Sequence, residues 1–194
     1  MSVEETGRGG TPRDKWIGVY IGILAVILAV VTTGGGNAAK EATLRNIEAS
    51  NLWSFFQAKN MRRTSFLLAA EELELSIATN PGWPAEIRSI VEAKAKAYRD
   101  QVSRLTTEKA TNEGLDELFQ RAKAVEAARD VALRKDPYFD YAQAMLQISI
   151  VLASVAIVSG GNLLLVPSFL IGALGVALGL NGFLLAVPIP FIDG

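Results

Sequence analysis

The stretch VVTTGGGNAAKEAT, Val30 to Thr43, places three glycines shortly before Lys40. Such a run suggests a phosphate cradle, in which glycine amides, an ammonium and a hydroxyl converge on phosphates and magnesium. That loop needs a glycine directly before the lysine and a Ser or Thr directly after it, whereas Ala39 precedes Lys40 and Glu41 follows it. The dinucleotide fingerprint fails as well, because no strand leads into the glycines. Gly34, Gly35 and Gly36 read instead as a flexible break where the chain leaves a membrane.

Asp136 and Asp140 stand one helical turn apart and could offer two carboxylates to a cation or to acid-base chemistry. A plainer account is that Asp136 caps a helix whose first position is Pro137, with Asp140 in the first turn near the positive dipole end. The acidic group Glu71, Glu72 and Glu74 and the basic pair Arg62 and Arg63 fit a solvated helix face. The chain has no His and no Cys. That excludes imidazole bases, thiol nucleophiles, disulfides and the usual zinc, copper and haem sites. No catalytic set converges, no cofactor or metal is expected, and the reading is of a protein that is not an enzyme.

The elements that carry these residues are unevenly mixed. Half of the 194 residues are apolar, too many for an ordinary soluble domain of this length, and they gather at the two ends. Between Gly34 and Asp140 there are 16 Lys and Arg against 16 Asp and Glu, a balanced pattern with no field to attract nucleic acid.

Trp16 to Thr33 is an 18-residue run without a charge, close to the roughly 20 residues a bilayer crossing needs. Ala142 to Ser159 and Leu163 to Val187 are two more such segments, and in lipid all three must be helices to satisfy their own backbone. Trp16 and Tyr20, and Tyr138, Phe139 and Tyr141, stand where interfacial aromatics anchor spans. Gly160, Gly161 and Asn162 join the last two spans and force them antiparallel. Arg13 and Lys15 ahead of the first span also fit a signal peptide, but its apolar run is long for one, and retention as an anchor is expected. No Asp, Glu, Lys or Arg lies inside any span, which leaves ion-coupled transport and voltage sensing without their usual residues.

Small residues mark expected helix-packing positions at Gly18, Gly22, Gly175 and Gly179, with Asn181 expected to bond across helices or, alternatively, to line a pore.

From Asn37 to Thr79 there is neither Pro nor Gly, which predicts one long helix with Asn37 as its N-cap. NPGWP, Asn80 to Pro84, stops it. Apolar positions then recur at Ile87, Val91, Tyr98, Val102 and Leu105, interrupted by Lys94, and again at Leu115, Leu118, Ala122, Val125, Arg129 and Ala132 beyond a weak point at Asn112 to Gly114. At about 1.5 Å per residue the outgoing helix reaches roughly 65 Å and the return path roughly 78 Å, so the two match.

The expected architecture is all-α: three transmembrane helices with a long antiparallel coiled-coil-like helical hairpin between the first and second. Its parts are a polar tail over 1–15, spans over 16–33, 141–159 and 163–187, an extramembrane hairpin over 34–140 (37–79 out, 84–135 back) and a tail over 188–194. Lys40, Arg45, Arg129, Arg134 and Lys135 outnumber Arg8, Arg13 and Lys15, which tilts the hairpin toward the cytoplasm.

NAAKEATLRNIEASNLWSFFQAKNMRR and DPYFDYAQAMLQISIVLASVAIV resemble two signature stretches of an uncharacterised family of small bacterial membrane proteins, a domain of unknown function. The resemblance runs from Trp16 to the third span and implies a bacterial inner-membrane address, but no activity. Members with acidic or His-rich tails are part of that family, and the short basic tail here departs from them.

The outgoing helix holds more apolar surface than one partner helix covers, and such surface usually meets another protein. Trp53, Phe55 and Phe56 are the expected contact, with packing inside the hairpin as the alternative. The function expected is a self-associating or accessory subunit, with the lipid bilayer and a second copy or a membrane complex as partners. An oligomeric channel or small-solute conduit is the alternative.

Overall fold

The computed structural model describes residues 11–190. Arg8 in the leading tail and the last residues of the C-terminal tail, 191–194, lie outside the described residues. Four helices make up the fold, α1 (Pro12–Thr79), α2 (Ala85–Thr106), α3 (Leu115–Ser159) and α4 (Leu165–Leu184), with no strand among the described residues. Three of them, α1, α3 and α4, are long and apolar enough to cross a membrane. The chain divides into two compact units, one holding everything up to Ala42 and from Asp130 onward, the other Thr43–Arg129.

In the first unit, parts of α1, α3 and α4 pack around Leu24, Val31, Ala38, Tyr138, Phe139, Ala142, Leu146 and Leu178. The order of contacts makes α3 and α4 antiparallel: Ser149 meets Ser168, Leu146 meets Gly175 and Phe139 meets Gly182. Gly160, at φ +64°, supplies the left-handed residue that turns the chain between them. Arg13 closes this end by donating to Asn162 Oδ1 and to the carbonyls of Ala156 and Gly161, where the end of α3 leaves acceptors unpaired.

Two breaks read from the sequence are absent. The helix runs straight through Gly34–Gly36, so Asn37 is inside α1 and caps nothing. Pro137 likewise lies inside α3, so Asp136 is not an N-cap. Packing explains both. Interior glycine costs about 1 kcal/mol and interior proline about 3 kcal/mol. Against those costs Tyr138 and Phe139 are buried immediately after the proline, with the Phe139 ring seated on Gly34 and Gly35.

In the second unit α1 ends at Thr79, where Asn80 donates to the Ser76 carbonyl and Thr79 to that of Leu75. From Phe66 back along α1, partner numbers rise along α2 and α3, with Glu74 and Arg99 adjoining the start of that run. Glu74 pairs with Arg99, Phe66 packs on Tyr98, Arg63 reaches Thr106, Trp53 touches Phe119 and Asn46 receives Arg129. On α2 Ala95 and Leu105 are buried, and Lys94 is exposed with its ammonium over the Tyr98 ring. The apparent interruption at Lys94 is therefore a one-residue shift in which position faces inward. The return path breaks at residues 107–114, where Thr107 is extended and Asn112 is left-handed at φ +58°. Thr107 there donates to Asp116, the Glu108 amide to Glu117, and Lys59 to the Glu113 carbonyl.

Candidate functional site

Within the first unit, the expected packing glycines separate into two groups. A Cβ at Gly175 would stand 3.0 Å from Leu146, and one at Gly179 2.8 Å from Val31. These two, with Gly172 and Gly182, let α4 lie close against its neighbours, the role small residues have where lipid removes most of the hydrophobic drive for association. Gly18 and Gly22 do not share it, since a Cβ at either would meet nothing within 4 Å. Asn181 differs from expectation too: its side chain donates to the Val187 carbonyl and accepts from the Val187 amide, closing the chain beyond α4 instead of bridging helices. An amide three residues from the end of α4 reaches the backbone just beyond it, where it satisfies both the amide and the carbonyl of Val187.

The sequence reading missed the polar centre of this unit. The Tyr20 hydroxyl lies 2.9 Å from Ser149 Oγ and donates to the Ser168 carbonyl at 3.1 Å. Ser149 Oγ donates to the Ser168 carbonyl at 2.7 Å, and Ser168 Oγ to the Ser149 carbonyl at 2.8 Å. Both serines are fully buried. Gly172 makes room for the cluster, for a Cβ there would stand 2.7 Å from Ser149 Oγ and 2.8 Å from the Tyr20 hydroxyl. Every hydroxyl has a partner, so the cluster ties α1, α3 and α4 together and leaves no nucleophile activated by a base. The available signal was a serine on each of two neighbouring spans with a glycine one turn past Ser168; Tyr20 read as an interfacial anchor because hydropathy does not show which way a ring turns.

Tyr138 departs from its expected anchoring role in the same way. It is fully buried, and its hydroxyl accepts from the Ile189 amide and donates to the Val187 carbonyl. Asp136 is pushed above its ordinary value, first by burial and then by the neighbouring charge of Asp140. Among the described residues no group of three or more His, Cys, Asp or Glu could hold a metal ion.

In the second unit the three expected contact aromatics divide. Trp53 and Phe56 turn inward against Leu52, Leu118 and Ala122, and Trp53 sits edge-on to Phe56 and Phe119 at 5.5 and 5.6 Å. The Trp53 indole donates to Glu126 at 2.8 Å, and Lys123 lies over its ring. The Glu126 carboxyl is held below its usual value, first by Lys123 and then by that indole. Phe55 alone of the three faces outward. Beside it on the outer side of α1 are Leu44, Ile47, Met61, Leu68 and Leu75, each at least half exposed. A cleft of about 460 Å³ next to Phe55 is lined by Lys59, Arg62, Arg104 and Glu108, but its charges are largely paired, Arg104 with Glu108 at 2.9 Å and Lys59 with Glu108 at 3.8 Å.

A family model described as Domain of unknown function (DUF4337) matches residues 13–185. No curated protein and no solved structure matches the chain.

Proposed function

Because the chain belongs to the DUF4337 family, whose description names no activity, we propose a role from its own residues: an integral membrane protein of the bacterial inner membrane whose helical hairpin makes it a self-associating or accessory subunit. The observation that carries this is the outer side of α1 in the Thr43–Arg129 unit, where Met61 is 73% exposed and Leu75 64%. Surface of that kind in a soluble segment costs solubility unless a partner covers it. The run of contacts from Glu74 with Arg99 to Asn46 with Arg129 supports an antiparallel, coiled-coil-like hairpin, and it leaves this outer side unused.

The membrane address draws support from the first unit. Its apolar side chains face outward as well as inward, with Val26, Val158 and Leu170 each two-thirds exposed or more. The proposed role calls for no catalysis, and the buried hydroxyls, each bonded within their own cluster, are in keeping with it. The conduit reading draws no support from Asn181, whose amide bonds Val187.

Mass measurement of the full chain in nanodiscs tests the proposal. A dimer or larger assembly, or a stoichiometric co-purifying subunit, is expected. A strictly monomeric particle that carries no other protein would count decisively against it.

A further inference from the structure

The exposed positions of α1 in the Thr43–Arg129 unit have a period. Leu44, Ile47, Asn51, Ser54, Ala58, Met61, Ser65, Leu68, Glu72 and Leu75 alternate steps of three and four residues, and every one of them is exposed. The inward-facing positions Ala49, Leu52, Phe56, Lys59, Arg63, Phe66, Ala70, Leu73 and Ile77 keep the same spacing, two residues out of phase. Two residues on a helix turn through about 200°. So α1 carries two heptad lines on opposite faces; α2 and α3 cover one, and nothing among the described residues covers the other. On the uncovered line Leu44, Ile47, Ala58, Met61, Leu68 and Leu75 are apolar and Asn51, Ser54, Ser65 and Glu72 polar, and apolar positions at this spacing are the pattern of a helix that meets another along its length.

We infer that the outer heptad line of α1 is the site where a second copy of this chain docks, parallel and in register, with the two α1 helices side by side from Leu44 to Leu75. This rests on the self-association proposed above and adds the partner, the face and the direction. Three features choose a parallel copy over other occupants. In register, like meets like: Ile47, Met61, Leu68 and Leu75 each face themselves, and Asn51 faces Asn51, where paired amides can bond across the axis and fix the register. In the antiparallel alternative that superposes the same span, Asn51 would face Leu68 and Glu72 would face Ile47, each burying a polar group against an apolar one.

The flanking positions agree with this. They pair Thr43 with Glu48, Ser50 with Phe55, Gln57 with Arg62, Thr64 with Ala69 and Glu71 with Ser76 across the axis, so no like charges meet. Direction follows as well, since α1 begins in the bilayer in both copies. Glu72 is the one residue that opposes its own charge, and it therefore limits the strength of the pairing.

The chain contains no cysteine, so single cysteines report on the docking without background. Ile47→Cys and Leu68→Cys, in the full chain in native membranes under mild oxidation, are each expected to give at least tenfold more covalent dimer than Asn60→Cys, which is exposed but off the line. Only a parallel, in-register pair brings both of these cysteines, each to its own copy. Co-expressed Ile47→Cys and Glu72→Cys chains crosslinking to each other in preference to themselves would overturn the parallel assignment. Equal crosslinking at all three sites, with a dimer still found by mass, would overturn the docking line and leave self-association standing. A monomer by mass in nanodiscs would overturn both. Glu72→Leu supplies an independent measure, with a several-fold rise in the dimer fraction expected and no rise or a fall counting against the line. Helicity and melting of each variant, matched to the unsubstituted chain, guard against loss of folding as the cause.

Discussion

Gly34 and Gly36 stand two residues apart in one helix and should answer a larger side chain in opposite ways. A Cβ at Gly34 would lie 2.7 Å from the Phe183 ring and 2.9 Å from that of Phe139, whereas one at Gly36 meets nothing within 4 Å. Gly34→Leu therefore overfills a packed contact and is expected to destabilise the first unit by about 1–3 kcal/mol. Gly36→Ala relieves the helix of a flexible residue and is expected to stabilise it by up to about 1 kcal/mol. Thermal unfolding of both variants in one detergent checks the contrast, and equal effects would contradict the packing assigned to Phe139. The glycine run was legible as a departure from ordinary helix sequence, but its meaning was not. Local propensity prices the glycines alone, and the ring that needs them is about a hundred residues further along the chain. Aromatics divide in the same residue-by-residue way. Trp53→Ala removes a half-buried ring and its bond to Glu126, and about 2 kcal/mol of lost stability is expected for the second unit. Phe55→Ala removes an outward ring and should leave melting within about 0.5 kcal/mol of the parent.

Elements were legible where a single local rule governs them. The Asn80–Pro84 stop is one case, since two prolines and a glycine end a helix wherever they fall, and α1 ends at Thr79. Periodicity along Leu115, Leu118, Ala122 and Ala132 is another, and all four are buried. Where long-range packing competes with a local rule, the rule loses, as Pro137 inside α3 shows. Between α1 and α2 the clearest polar contact is Glu74 with Arg99, bonded through two oxygens at 2.9 and 2.7 Å. The arginine's hydrogen bonds hold the Glu74 carboxyl below its ordinary value. A carboxyl whose pKa falls on folding contributes stability above its unfolded pKa and loses that contribution as pH falls through the lowered folded value. The second unit should accordingly lose melting temperature on acidification from neutral pH into the acid range, and Glu74→Gln should flatten part of that slope. The effect is small, since both groups are solvent-exposed and salt screens them. A melting series at low and high salt checks it, with an unchanged slope in Glu74→Gln counting against the pair.

At the scale of the whole molecule, α1, α3 and α4 are long and apolar enough to span a membrane, and in the membrane role proposed above the chain crosses with all three. Arg13 at the start of α1 bonds Asn162 and Gly161 in the turn between α3 and α4, so the start of α1 and that turn lie at the same end of these helices. The chain between the first and second spans must then lie across the bilayer from them. Lys40, Arg45, Arg129, Arg134 and Lys135 flank that intervening segment against three Lys and Arg in the tail, an imbalance that favours the cytoplasmic side, and we propose that orientation. Single cysteines can read this out, because the chain has none of its own. Gly82→Cys and Gly161→Cys suit the purpose, as a Cβ at Gly82 meets nothing within 4 Å and one at Gly161 only the Ser159 hydroxyl at 4.0 Å. In right-side-out vesicles a membrane-impermeant maleimide should label Gly161→Cys and leave Gly82→Cys unlabelled until detergent is added. The reverse pattern would invert the orientation while keeping three crossings. Equal labelling of both before detergent would place the two turns on one side, a result that three spanning helices cannot produce.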